Sequence, residues 1–167
     1  MSADFVSIPL PGGHQLLIDV ADLRVALGFT WRAKKNRHVF YAAANRRLGR
    51  GGPCCVYLHT LLMDPGRGMT VDHIDGNGLN NRRSNLRLCT PMQNQQNSAA
   101  RKGKTSIYKG VTRPKRARGW RAQIRVNRQL ILLGTFAQEE DAARAYDDAA
   151  RRHFGPFART NFPEKAA

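Results

Sequence analysis

The stretch Val71–Asn97, reading VDHIDGNGLNNRRSNLRLCTPMQNQQN, constrains the chain most. It dictates a strand, a turn-rich loop, a second strand and a helix in one short span. Asp72 and His73 are adjacent, so an extended strand sends their side chains to opposite faces. Asp75-Gly76-Asn77-Gly78 and Asn80-Asn81 follow, the composition of a loop with unusual backbone angles. Ser84 to Leu88 reads as the second strand, with Leu86 and Leu88 facing inward. Thr90-Pro91 then starts a helix, Thr90 as the N-cap and Pro91 at the first helical position. That helix carries Asn94 and Asn97 three residues apart on one face. An acid and an imidazole on a strand, with amides on a following helix, are spaced to suit one hydrolytic metal site.

These residues resemble the HNH motif, the beta-beta-alpha-metal finger of phage and intron-encoded homing endonucleases. The resemblance rests on Asp72-His73-Ile74-Asp75-Gly76, Asn80-Asn81-Arg82, Ser84-Asn85-Leu86-Arg87, Asn94 and Asn97. It implies that His73 is the general base and that Asp72 and Asn94 hold one divalent cation. Asn85 is then the residue that steadies the loop and orients His73. The helical position that is usually His is an amide here, as in a subgroup of phage enzymes, and Asn97 stands as an alternative ligand.

The residue types suit that chemistry on their own terms. Phosphodiester hydrolysis needs a base that titrates near neutrality, and histidine supplies one. It also needs positive charge at the phosphate and at the departing oxygen. A hard cation on a carboxylate and an amide oxygen, with positions left for water and phosphate, meets that need. Oxygen donors favour Mg²⁺, with Mn²⁺ the alternative, over Zn²⁺. Arg82, Arg83 and Arg87 lie beside the motif and are candidates for clamping phosphate.

Charge points to the same partner. The chain has 167 residues and a formal net charge of +16, which calls for a polyanion. Nucleic acid is favoured over an acidic membrane surface, because no amphipathic basic helix stands out, and no apolar run approaches membrane-span length. Met1-Ser2-Ala3-Asp4 is not a signal-peptide start. Cys54, Cys55 and Cys89 lack a C-x-x-C pair and read as free thiols in a reducing compartment; a zinc site joining Cys89 to Cys54 or Cys55 and a His is the alternative.

Residues 99–106 are small, polar and basic and read as a linker between residues 1–98, which contain the motif at 69–98, and a second unit at 107–163. Three extended segments open that unit: Tyr108 to Arg113, Gly119 to Val126 and Gln129 to Phe136. The middle one alternates, with Trp120, Ala122, Ile124 and Val126 on one face and Arg121, Gln123 and Arg125 on the other. Asn127-Arg128 turns it into a hairpin. Gln138 to His153 reads as a helix, acidic at its start and basic at its end, stopped by Gly155. Its stripe of Ala142, Ala145, Tyr146, Ala149 and Ala150 lets it lie close on the sheet. The opposite face fits the major groove, where Arg pairs with guanine and Gln with adenine.

This unit resembles the plant ethylene-response-factor DNA-binding domain of the Apetala-two type. The landmarks are Tyr108-Lys109-Gly110-Val111, Trp120-Arg121-Ala122-Gln123-Ile124, Leu133-Gly134-Thr135-Phe136, Glu140-Asp141-Ala142-Ala143, Ala145-Tyr146-Asp147 and Asn161-Phe162-Pro163. It implies DNA contacts at Lys109, Arg121, Gln123, Arg125 and Thr135, with Arg113 as a further one. Thr112, Leu130 and Leu132 depart from the Arg or Trp of the plant domains, so no plant recognition sequence is carried over. Such domains also occur fused to HNH nucleases in phages and mobile elements, which implies a protein acting in the cytoplasm of a bacterial host.

The first part of the chain is less explicit. Phe5 to Leu10 and Gln15 to Val20 flank Pro11-Gly12-Gly13 as a hairpin. Ala21 to Leu27 reads as a short helix, Val39 to Ala42 as a strand, and Val56 to Met63 as a helix leading into the motif. His59 on that helix reads as structural or supporting, with a direct catalytic part the alternative. Trp31 reads as a core anchor. For the basic cluster from Lys34 to Arg50, phosphate contact and a plain solvated surface both fit.

The expectation is an α+β protein. A small nuclease domain with the beta-beta-alpha-metal motif precedes a three-stranded antiparallel sheet packed on one helix. The activity expected is site-selective, metal-dependent DNA cleavage of the homing type by a monomer or weak dimer, with no small-molecule cofactor besides the cation. A DNA-binding transcriptional regulator with a vestigial nuclease motif is the alternative. An RNA-binding protein needs exposed aromatics for base stacking, whereas Trp120 and Tyr146 fall on inward positions.

Overall fold

The computed structural model describes residues 4–47, 53–99, 105–115 and 118–163. Most of the expected linker (100–104), together with Arg50 of the basic cluster, lies outside the described residues. The chain divides into two compact units, Met1–Asn94 and Gln95–Ala167. The boundary therefore falls inside the helix that follows the motif.

In the first unit, Pro11-Gly12-Gly13 folds β1 (Phe5–Leu10) against β2 (His14–Asp19) as an antiparallel pair. Gly12 and Gly13 take φ of 84° and 77°, values open to glycine at no steric cost. A 3-10 turn (Val20–Asp22) and α1 (Leu23–Leu27) follow. Trp31 is buried, and its indole Nε1 donates to the Ala26 carbonyl at 2.8 Å, anchoring the end of α1. An antiparallel sheet of β3 (Arg32–Asn36), β4 (Val39–Arg47) and β5 (Pro53–Tyr57) comes next, with β4 central. The basic residues Lys34, Lys35 and Arg46 lie on it.

One helix is shorter than its sequence pattern. Val56 and Tyr57 belong to β5, and α2 spans Leu58–Met63 alone. The β-branched and aromatic pair is held extended by pairing with Ala44 and Ala43 of β4, so tertiary context overrides the apolar run. Leu58 and Leu62 then fall on the buried face of α2, in a core with Leu16, Ile18, Trp31, Ala42, Val71 and Leu86.

The motif itself is a ribbon, β6 (Thr70–His73) paired antiparallel with β7 (Leu86–Cys89), followed by α3 (Pro91–Gln96). Two details differ from expectation. Leu88 is exposed while Cys89 is buried; so short and twisted a two-stranded ribbon does not keep strict alternation of burial. Arg83 to Asn85 form a 3-10 turn, so Ser84 and Asn85 are not strand. Thr90 and Gln93 make a reciprocal cap: Gln93 N donates to Thr90 Oγ1 at 3.3 Å and Thr90 N to Gln93 Oε1 at 2.8 Å. The helix ends at Gln96, so Asn97 stands just past it rather than on its face with Asn94.

In the second unit β9 (Trp120–Val126) lies between β8 (Val111–Thr112) and β10 (Gln129–Phe136), all antiparallel. β8 is shorter than the extended run expected from Tyr108, because Gly110 at φ 79° turns the chain before it. Asn127 and Arg128 both take positive φ, 48° and 68°, as the two central residues of a type I′ hairpin turn do. The helix α4 (Glu139–Phe154) lays Ala142, Tyr146, Ala149 and Ala150 against Ala122, Ile124 and Val111. Asp147 is buried in the same helix. Its carboxylate accepts from Asn161 N (2.8 Å), Asn161 Nδ2 (3.0 Å) and Phe162 N (2.9 Å), pinning the end of the unit. No helix among the described residues is long and apolar enough to cross a membrane.

Candidate active site

The loop between β6 and β7 is closed by its own side chains. Asn85 Oδ1 accepts from Asp75 N at 3.0 Å, while Asn85 Nδ2 donates to Asp75 Oδ1 (2.9 Å) and to the Asn80 carbonyl (2.8 Å). Asp75 also accepts from Asn77 N and Asn80 Nδ2, both at 2.8 Å. Burial raises the Asp75 pKa, but the hydrogen bonds from Asn80, Asn77 and Asn85 outweigh it and hold the carboxyl below its ordinary value. The hairpin then grips the loop from outside: Leu17 N donates to Leu79 O at 2.9 Å and Asn81 N to Leu17 O at 2.8 Å. Gly78 presses on β4 so closely that a Cβ there would lie 2.5 Å from the Phe40 carbonyl oxygen and from the Tyr41 ring. The N-terminal elements, hardest to read in the sequence, form the bed of the loop.

His73 and Asp72 are both buried, at 5% and 4% exposure, and they meet different neighbours, as adjacent strand positions should. The His73 ring lies edge-on to His59 at 5.0 Å between centroids and to Tyr41 at 5.8 Å. Burial lowers the His73 pKa, opposed by a hydrogen bond with Asn81 and the charges of Asp75 and Asp72. The imidazole is therefore neutral at neutral pH, the state a base must start from. Asp72 sits opposite Arg87 in the ladder, and Arg87 Nε and Nη2 both donate to its Oδ2, at 2.8 and 2.6 Å.

Asn94 is brought to the same end of the ribbon. The buried Cys89 thiol is raised above its ordinary pKa by burial and by Asp72, against the pull of Arg87 and of a hydrogen bond from the Asn94 backbone. Asp72 and the start of α3 thus both border Cys89. The thiol donates to the Thr70 carbonyl at 3.6 Å and stays protonated, so it is withheld as a soft ligand. No group of three or more His, Cys, Asp or Glu side chains suited to a metal exists among the described residues. What Asp72 and Asn94 offer is one carboxylate and one amide, hard oxygen donors that fit a cation keeping several water or phosphate ligands. The fit is shared, since Arg87 already binds the carboxylate.

The arginines beside the motif are engaged within the protein. Arg83 Nε and Nη2 bind the buried Asp22 at 2.8 Å each. Arg82 Nε donates to Asn80 Oδ1 at 2.9 Å, and its guanidinium lies 4.7 Å from the Phe5 ring centre. Arg87 holds Asp72. Asn97 is buried and belongs to the second unit.

Sequence reading missed two tyrosines. Tyr57 stacks on His59 at 5.6 Å, and Tyr41 meets both histidines. Local sequence marks the Tyr41 segment as a strand and nothing more, because only the pairing of β4 with β5 carries Tyr41 to His73 and sets Tyr57 beside Tyr41. Burial, with the nearby Asp72 and Tyr57, raises the Tyr41 pKa, so its phenol stays protonated. His59 is driven down to about 3 by burial and by His73. Since that value lies below the ordinary 6.5, the unfolded chain takes up a proton first as pH falls. The stability due to neutral His59 is full above about pH 6.5 and is lost down to about pH 3, at up to ~1.4 kcal/mol per pH unit. Urea unfolding at pH 7, 6 and 5 should therefore show a shallower acid loss for His59→Gln than for the unaltered chain.

In the second unit, Arg121, Arg125 and Thr135 are exposed and Gln123 is half-buried. Cross-strand pairing sets Thr135 opposite Arg121, on the face away from α4. Arg113 is exposed, its guanidinium 5.3 Å from the Trp120 ring centre. Lys109 is placed differently. Its ammonium donates to the Gln96 carbonyl at 2.5 Å, its backbone N–H donates to Asn161 Oδ1 at 2.6 Å, and burial lowers its pKa to about 8.

Comparison with known proteins gives matches of two kinds. Residues 65–96 match the model of the HNH endonuclease family. A protein of Acanthamoeba polyphaga mimivirus described as an uncharacterized HNH endonuclease is 42% identical over 91 residues, 54% of this chain and 46% of its own length. An AP2/ERF and B3 domain-containing protein of Oryza sativa subsp. japonica is 50% identical over 70 residues, 42% of this chain and 19% of its own. An AP2-like ethylene-responsive transcription factor of Arabidopsis thaliana is 55% identical over 60 residues, 34% of this chain and 12% of its own. The chain spans less than half the length of each of these relatives. It is thus similar, in separate matches, to HNH endonucleases and to AP2/ERF proteins.

Proposed function

We propose that the chain is a metal-dependent, site-selective DNA endonuclease of the homing type. The observation that carries this reading is the neutral, buried His73 beside Asp72, at the foot of a loop closed by Asn85. His73 accepts the proton of the attacking water. His59 and Tyr41 pack its ring and keep it from charging early, while Asn81 and Asp75 hold its surroundings. Asp72 and Asn94 would hold a divalent cation, Mg²⁺ or Mn²⁺. Bound there, the ion supplies positive charge at the scissile phosphate and the departing 3′-oxygen. Arg121, Gln123 and Arg125 read duplex DNA from the second unit, and the net charge of +16 makes binding fall steeply with salt.

A second reading has a specific observation in its favour. The Arg87–Asp72 ion pair neutralises the carboxylate a cation needs, as expected of a DNA-binding regulator whose nuclease motif is vestigial. Supercoiled plasmid separates the two. With Mg²⁺ or Mn²⁺ the endonuclease gives open circles or linear DNA, and EDTA or Asp72→Asn abolishes them. Duplex binding with no cleavage under any of these conditions establishes the regulator.

A further inference from the structure

Leu130 and Leu132 lie in the open on β10, 56% and 59% exposed. A lone surface leucine needs no explanation, but these two share a face and a set of partners. Leu130 pairs with Arg125 and Leu132 with Gln123 across the β9–β10 ladder. Both therefore project on the side that carries Arg121 and Arg125, opposite the side packed by α4. Apolar side chains set among cations do not suit a protein partner seeking a continuous apolar patch. They suit a polyanion that carries apolar groups at fixed places. Duplex DNA is such a partner, because each thymine puts a C5-methyl group on the major-groove edge.

We propose that Leu130 and Leu132 are specificity-determining residues that contact thymine methyl groups in the major groove. The proposal rests on the DNA-binding part of the function above and names what that face selects. Gln123 matches the N7 and N6 edge of adenine, and the thymine of that pair places its methyl on the same groove edge. Leu132, directly across the ladder from Gln123, is positioned to cover it. Arg125 matches guanine O6 and N7, with Leu130 beside it for a thymine in a neighbouring pair. The preferred site then joins guanine to thymine-bearing pairs. Covering a methyl removes apolar surface from water, and each one is worth roughly a fourfold change in affinity.

The test uses the intact chain in EDTA, so that nothing is cut. A duplex is recovered from a random pool, and its affinity is compared with that of the same duplex carrying deoxyuridine for every thymidine. That change removes the methyl groups and keeps every base pair. The expected result is about tenfold weaker binding to the uracil duplex, and a Leu130→Asn/Leu132→Asn chain that binds both duplexes within about twofold. Both positions are exposed, so the substitutions leave the sheet intact, as the circular dichroism and melting of the variant should confirm. Equal binding of the two duplexes by the unaltered chain overturns the proposal, as does full discrimination kept by the double variant. Failure to bind any duplex overturns the DNA-binding function itself, a separate and recognisable outcome.

Discussion

His73→Ala should abolish plasmid cleavage, with a loss of ~10²–10⁴-fold if the ring acts as general base. The site leaves no obvious substitute. His59, the nearest imidazole at 5.0 Å between ring centres, is held neutral down to about pH 3. A group so weakly basic makes a poor proton acceptor at neutral pH. Tyr41 and Cys89 are both pushed toward their protonated forms. The replacement also empties a buried ring position, which adds a structural loss to the chemical one. Duplex affinity and the melting temperature resolve that: the second unit, to which the proposed function gives the DNA-reading face, does not include His73. Retained binding with absent cleavage assigns the ring to chemistry. A His73→Ala chain that cuts at the unaltered rate overturns the assignment.

The parts of this site that were legible in the sequence are those made by neighbours in the chain. Asp72 and His73 diverge because they are adjacent in a strand, and Thr90-Pro91 starts a helix by local capping. Asn85 closes on Asp75 only ten residues away. The β9–β10 hairpin was equally readable, since alternation and a two-residue turn fix its register. What escaped was set by distant pairing. Tyr41 reaches His73 only because β4 is the centre of a sheet whose β5 leads into α2. Arg83 looked available for phosphate, yet its partner Asp22 lies 61 positions earlier. The Lys109 ammonium donates to the Gln96 carbonyl, and Asn161, 52 positions after Lys109, fixes its backbone, neither of which local sequence reveals. Charge alone cannot tell an arginine that awaits a phosphate from one already paired. The Arg87–Asp72 pair lies between these cases, because it follows directly from the β6–β7 register.

Gly110→Ala should unfold or severely loosen the second unit, and its duplex affinity should go with it. Gly110 holds φ at 79°, where a side chain costs about 1 kcal/mol or more. A Cβ there would also stand 1.9 Å from Cδ2 and 2.4 Å from Cε2 of Tyr146. That ring cannot retreat. It is 4% exposed and packed among Ile124, Ala149 and Ala150. Forcing such a core apart costs a further ~1–3 kcal/mol or more, a large fraction of what a small domain has. The Gly110 carbonyl accepts from Gln123 N at 2.8 Å, so a displaced turn also drags β9. Gly155→Ala is the comparison that lacks the collision. Gly155 also has positive φ, 52°, but nothing lies within 4 Å of its added Cβ. It bears a backbone cost of its own, at φ 52° and ψ −128°, without the collision. Hydrogen exchange of the β9 amides should accelerate strongly in Gly110→Ala and only slightly in Gly155→Ala, while amides of β6 and β7 in the first unit keep their protection. Equal effects from the two alanines would mean that backbone angle alone, and not the contact with Tyr146, demands glycine at this turn.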